Sequence, residues 1–177
     1  MCKNNLIPEI LCHPNIPQPL HGINPRTIKG NEWWDTIRQE VYKSTNYCCS
    51  ACGVHKSEAK KHKWLEAHEF WQIDYNTGIC IVNDIKPLCH YCHNFIHSGR
   101  LSMIIDKEKS KSEVIEILEH GFRILKANNL KCFPFTQYFA KQIGANTFGV
   151  LAYQLKVNPN LKESDFVLIF EGKEYRK

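Results

Sequence analysis

The chain has 177 residues, of which 43% are hydrophobic and 23% charged, and it carries a formal net charge of +5. That length suits one ordinary domain or a compact domain with an appendage, and the composition excludes wholesale disorder. No apolar run approaches the roughly 18 residues of a membrane span, and Met1-Cys2-Lys3-Asn4-Asn5 leads into no apolar stretch, so a cytoplasmic protein without a signal peptide or membrane segment is expected.

The first thirty residues hold Pro8, Pro14, Pro17, Pro19 and Pro25, which predicts an extended arm. Asn31 is placed to cap a helix running to about Ser44, with Trp34, Ile37 and Val41 at helical spacing. Tyr47-Cys48-Cys49-Ser50-Ala51-Cys52-Gly53 has the form of a metal-knuckle turn. The dense basic run Lys60-Lys61-His62-Lys63 follows, and then a strand over residues 63–71. Tyr75-Asn76-Thr77-Gly78 supplies turn chemistry and Ile79-Cys80-Ile81-Val82 the returning strand. Residues 89–97 suit a short helix ended by Gly99. Ser110-Lys111-Ser112-Glu113 forms a capping box before a helix to about Ala127, its apolar face Val114, Ile117, Leu118, Phe122 and Leu125. A further helix is predicted over 134–143, and a strand with a turn over 165–173. This divides the chain into an arm and helix (1–46), a central unit (47–100) and a C-terminal extension, helical and ending in a strand or hairpin (101–177).

Nine cysteines and nine histidines are unusual numbers for such a chain. An odd cysteine count without an export signal argues against a disulfide framework. The spacings point instead to metal binding: Cys49-x2-Cys52 and Cys89-x2-Cys92 are two pairs whose four thiolates can close a tetrahedral structural zinc site. The interval between them exceeds that of a common zinc ribbon, so a structural insert must fill it. Cys48 rivals Cys49, but Cys49 gives the better spacing. Cys2, Cys12, Cys48, Cys80 and Cys132 lie outside the pairs, and most of them read as plain buried thiols.

Three histidines form a second group. His93 and His97 stand at i and i+4 on the short helix, so both point from one face, and His68 lies in the preceding hairpin. Imidazoles suit a divalent ion distinct from a thiolate-bound zinc. His55 and His90 are left over, though either could support the zinc site.

In these residues the sequence resembles the HNH nuclease family, whose fold is the ββα-metal unit. The matching stretch runs from Cys49-x2-Cys52 through Leu65-Glu66-Ala67-His68-Glu69 to Asp84-Ile85-Lys86-Pro87-Leu88-Cys89-His90-Tyr91-Cys92-His93-Asn94-Phe95-Ile96-His97, under a third of the chain. The resemblance implies an α+β protein with a ββα-metal core stapled by a four-cysteine zinc site, flanked by helices and the N-terminal arm. It implies a divalent ion (Mg²⁺, Mn²⁺, Ni²⁺ or Zn²⁺) on His68, His93 and His97, and metal-dependent hydrolysis of nucleic-acid phosphodiesters, with duplex DNA as the expected substrate.

Two positions depart from the family pattern. Aligned on Leu65, His68 falls on the metal position and Glu69 on that of the general base, normally histidine; a shift by one residue makes His68 the base. Free glutamate is the weaker base, with a pKa of ≈ 4.3 against ≈ 6.5. Asp84 replaces the middle asparagine, whose implied role of fixing the backbone by hydrogen bonds a carboxylate can also fill. Lys60, Lys61, Lys63 and Arg100 are the expected phosphate contacts, and the flanks the expected source of target choice or homodimerisation. The unusual Glu69 motivates an alternative: a zinc-stabilised module of HNH fold that binds nucleic acid or protein without useful turnover.

Overall fold

The computed structural model describes residues 6–13, 16–97, 100–101, 111–132, 158 and 160–177. Its elements are α1 (Pro25–Lys29), α2 (Asn31–Ser44), β1 (Glu66–Ile73), β2 (Ile79–Leu88), α3 (His90–Ile96), α4 (Lys111–Ala127), β3 (Val167–Phe170) and β4 (Lys173–Tyr175). The protein is therefore mixed α+β, with a four-stranded sheet in the order β1-β2-β3-β4.

β1 and β2 form an antiparallel hairpin whose register runs from Glu66 opposite Leu88 to Ile73 opposite Cys80. The connecting turn is stabilised by Asp74, whose carboxylate accepts from the Asn76 N–H at 2.8 Å and the Thr77 hydroxyl at 2.7 Å. Gly78 closes it with a φ of 79°. A Cβ there would meet the Asp165 carbonyl oxygen at 3.0 Å, so both the backbone conformation and the close approach call for glycine. The ladder breaks between Phe70 and Trp71: Phe70 faces Asp84 and Trp71 faces Val82, leaving Asn83 as the extra residue of a bulge. β3 joins β2 in parallel at residues 79–81, and β4 folds back on β3. The predicted C-terminal strand and turn are thus present; their parallel pairing to β2 is a tertiary feature without a local sequence signal.

The hydrophobic side chains gather in two clusters. One joins Ile10, Leu11, Tyr42, Leu65, Leu88, Phe95 and the inner face of α4; the other joins Leu20, Trp71, Cys80, Phe166 and Leu168. α2 ends at Ser44 as expected, but Asn31, expected as its N-cap, is its first helical residue behind Gly30, and Trp34 and Tyr42 are the residues it buries. α4 buries Val114, Ile117, Gly121, Ile124 and Leu125. Phe122, expected on that face, is 47% exposed and meets the Phe95 ring edge-on, while the neighbouring Gly121 lies against that ring with no room for a Cβ.

The proline-rich N-terminal segment is not simply extended. Pro8–Cys12 and Gln18–Leu20 are single 3-10 turns, each with proline in its first two positions, and Pro25 opens α1 behind an Asn24–Thr27 capping box. A second correction concerns cysteine. Cys12 and Cys132 are joined in a disulfide across 120 residues of sequence, so they are not free thiols, and Cys48 is disulfide-bonded too. Parity and compartment are indirect arguments and carry no weight against two Cα atoms held 5.4 Å apart by packing of the N-terminal turn against α3 and α4. Cys80 is the fully buried thiol expected of it. Cys2, the capping serine at 110 and the helix predicted over 134–143 lie outside the described residues. Among the described residues, no helix is long and apolar enough to cross a membrane.

Candidate metal centres

The first centre is made of sulfur. After α2, Asn46 and Tyr47 both adopt positive φ, reversing the chain and delivering Cys49. Gly53, at φ 72°, closes the knuckle by donating from its N–H to the Cys49 carbonyl at 2.9 Å. The Ser50 N–H donates to the Pro87 carbonyl at 2.8 Å, which locks this turn beside the end of β2, two residues before Cys89. The sulfurs of Cys49, Cys52, Cys89 and Cys92 consequently lie within 4.8 Å of one another and could hold a metal ion. Cys48, the rival by spacing, pairs through its backbone with His55 and stays outside. Burial pushes the Cys49 thiol up, but hydrogen bonds from the other three cysteines outweigh it and hold Cys49 well below the usual thiol range. Burial and the same contacts hold Cys92 well above it.

His120 of α4 supports this cluster, a role with no signal in the sequence. Its Nε2 lies 3.4 Å from the Cys92 sulfur, and its Nδ1 lies 3.2 Å from the Arg123 guanidinium. A guanidinium only donates, so Nδ1 accepts and Nε2–H faces the sulfur. His55 instead contacts Ser57. A cavity of about 620 Å³ opens beside the cluster, lined among others by Cys52, Cys89, Lys60, Tyr91, His120 and Arg123.

The second centre is made of imidazoles. β1 presents His68, and α3 with its C-cap presents His93 and His97; their ligand nitrogens also lie within 4.8 Å of one another. The Nε2 atoms of His93 and His97 are 3.2 Å apart, and the His68 ring centroid stands 5.5 Å from that of His93 and 5.0 Å from that of His97. His68 is 3% exposed, and neither of its nitrogens has a hydrogen-bond partner. Burial, with the neighbouring imidazoles His93, His97 and His13, keeps His68 well below the ordinary histidine pKa; burial, then His93, lowers His97 to about 3. Both rings are therefore neutral at pH 7 and offer lone pairs. An orphaned buried imidazole beside two others is a costly arrangement unless a cation takes those lone pairs.

The carboxylate that supports this centre is Glu66. Strand alternation puts it on the face of His68, two residues away. Its oxygens lie 2.7 Å from His93 Nδ1 and 2.9 Å from His90 Nδ1. Burial pushes Glu66 up, but the two histidines more than offset it and hold it well below the usual carboxylate range. The pairing with His93 is one of proximity and charge, since His93 Nδ1 makes no hydrogen bond; with the carboxylate beside Nδ1, Nε2 is the nitrogen that faces His97.

The remaining expected site residues are placed as follows. Glu69 is next to His68 but outside the cluster; burial raises its pKa, against the opposing pull of its own backbone, His93 and Arg26. The Asp84 carboxylate accepts from the Ile85 N–H at 2.7 Å and pairs with Lys86, so it does bind backbone, within β2 beside the bulge. Lys61 pairs with Glu113 at 2.7 Å, Lys63 donates to the Ala59 carbonyl at 2.9 Å, and Lys60 lies 3.9 Å from Glu116. These lysines tie the loop to α4 and to itself. Arg100 is exposed, just past α3.

No family model, no curated protein and no solved structure matches this chain.

Proposed function

We propose that the protein is a metal-dependent endonuclease of the HNH kind that hydrolyses DNA phosphodiester bonds, with zinc in the four-cysteine centre and an exchangeable divalent ion on His68, His93 and His97. The reading rests above all on His68, a sealed imidazole whose two nitrogens find no protein partner although two further imidazoles face it. The β1–β2 hairpin followed by α3, with cysteine pairs at both ends, is the order of parts this reading requires.

A divalent ion in such a centre would polarise a phosphoryl oxygen and stabilise the departing oxygen. The chain's own contributions are distinct. His68, His93 and His97 supply neutral nitrogen donors. Glu66 fixes the ring of His93. Glu69, beside the ligand set, takes the proton from the attacking water, and Arg100 meets a phosphate of the substrate. The sulfur centre holds the end of β2 and the start of α3 in register with the first knuckle.

A second reading, a binding module without useful turnover, is motivated by Glu69, which falls on the position of the base histidine when the resemblance is aligned on Leu65. Plasmid nicking separates the two. Zinc-loaded protein with Mg²⁺, Mn²⁺ or Ni²⁺ should convert supercoiled DNA to the nicked form, and His97→Ala should not. If the native chain cuts no DNA while Glu69→His does, the binding reading stands.

A further inference from the structure

We infer that His13 is a positioning residue for the three-histidine centre, fastened in place by the neighbouring Cys12–Cys132 disulfide. The inference rests on the reading that those histidines hold a cation, and it concerns a part of the chain far from the motif.

His13 is 5% exposed. Its Nε2 lies 2.8 Å from the Trp71 N–H and 2.7 Å from the Trp71 carbonyl oxygen. Trp71 is the residue at which the β1–β2 ladder breaks, and β1 is an edge strand. Backbone polar groups at a buried edge need partners, and His13 supplies one at the interruption. The same ring meets His68 edge-on, with centroids 5.6 Å apart, and Phe70 at 5.5 Å.

The consequence falls on His68. Without a hydrogen bond of its own, that ring is oriented by what packs round it. His93 and His97 stand on the ligand side, and His13 is a third ring against it. His13 is not among the clustered donors, so it acts through His68 and the backbone of β1. Its own position depends on the segment that carries it. Ile10 and Leu11 are fully buried, and Cys12 is bonded to Cys132 just beyond α4. Breaking that bond, which a dithiol does by taking up the oxidation as its own disulfide and leaving two cysteine thiols, frees the segment at the residue next to His13.

The test is Mn²⁺ binding to zinc-loaded full-length protein, followed by electron paramagnetic resonance, with a thermal melt and zinc content on each variant. Loss of a group that orients a ligand typically weakens metal affinity about 10–100-fold. His13→Ala should fall in that range with zinc content unchanged. Cys12→Ser and Cys132→Ser should weaken Mn²⁺ binding in the same direction but less, since the ring remains. His13→Gln, which keeps a polar group for Trp71, should recover part of the loss. Wild-type Mn²⁺ affinity in a folded His13→Ala overturns the inference. So does a loss of Mn²⁺ that only parallels loss of zinc and of a cooperative melt. If the native chain takes up no Mn²⁺, Co²⁺ or Ni²⁺ beyond its zinc, the cation reading fails and the inference with it.

Discussion

The Glu66 carboxylate stands 2.7 Å from His93 Nδ1, with His93 Nε2 turned to within 3.2 Å of His97 Nε2. With the carboxylate beside Nδ1, Nε2 is the nitrogen of His93 that faces His97. Glu66→Gln keeps the size and removes the charge. Divalent-ion affinity at the histidine centre should drop about 10–100-fold, with zinc content unchanged. Calorimetric titration with Mn²⁺ measures it, and an unchanged affinity would show that Glu66 does not set the donor.

The two centres should separate by variant. Cys49→Ser or Cys92→Ser removes a sulfur from a cluster whose metal would contribute roughly 10–16 kcal/mol of apparent binding energy. Either should abolish cooperative folding by circular dichroism. His97→Ala should leave the melt near that of the native chain and remove exchangeable-metal binding. Equal loss of structure in both classes would contradict a division into two centres.

Acid should destabilise the protein through the buried imidazoles. His97 is lowered by burial to about 3 in the folded chain, against 6.5 for a free histidine, and His68 is lowered too. The unfolded state then binds protons first as pH falls, so the stabilisation is complete above 6.5 and is lost on descending toward 3. The slope is at most about 1.4 kcal/mol per pH unit for each histidine. Urea titrations of zinc-loaded protein between about pH 7.5 and 5.5, without added divalent ion, should show a falling midpoint, and His97→Gln should flatten the dependence.

Gly121 offers a test of packing alone. Alanine gains about 1 kcal/mol in helix propensity over glycine. Here a Cβ would intrude on the Phe95 ring, which is itself fully buried. Overpacking of that kind costs typically about 1–3 kcal/mol, so Gly121→Ala should lower the melting temperature. A rise would mean that Phe95 moves aside freely.

What can be read from the sequence is what is local. The two C-x2-C pairs and the i, i+4 histidines encode their own geometry, and the hairpin between them follows from turn residues and β-branched runs. What cannot be read depends on distant contacts. His13 reaches Trp71 across 58 positions, and Cys12 reaches Cys132 across 120. His120 meets Cys92 only because α4 packs on α3. Glu66 does carry a signal: it lies two residues before His68 and so on the same strand face. The expected face of α4 fails at Phe122 because an inward glycine leaves no mark in a pattern of apolar side chains.

The opening beside the sulfur cluster lies on the side of Cys52 and Cys89. Cys49 and Cys92 are sealed within the apolar interior, whereas Cys52 is partly exposed and, with Cys89, borders the cavity. An ion held by these sulfurs would meet an opening framed by Lys60, His120 and Arg123. Anionic scavengers would be drawn toward Lys60 and Arg123, so the rate of metal loss should depend on the scavenger's charge as well as its thermodynamic strength.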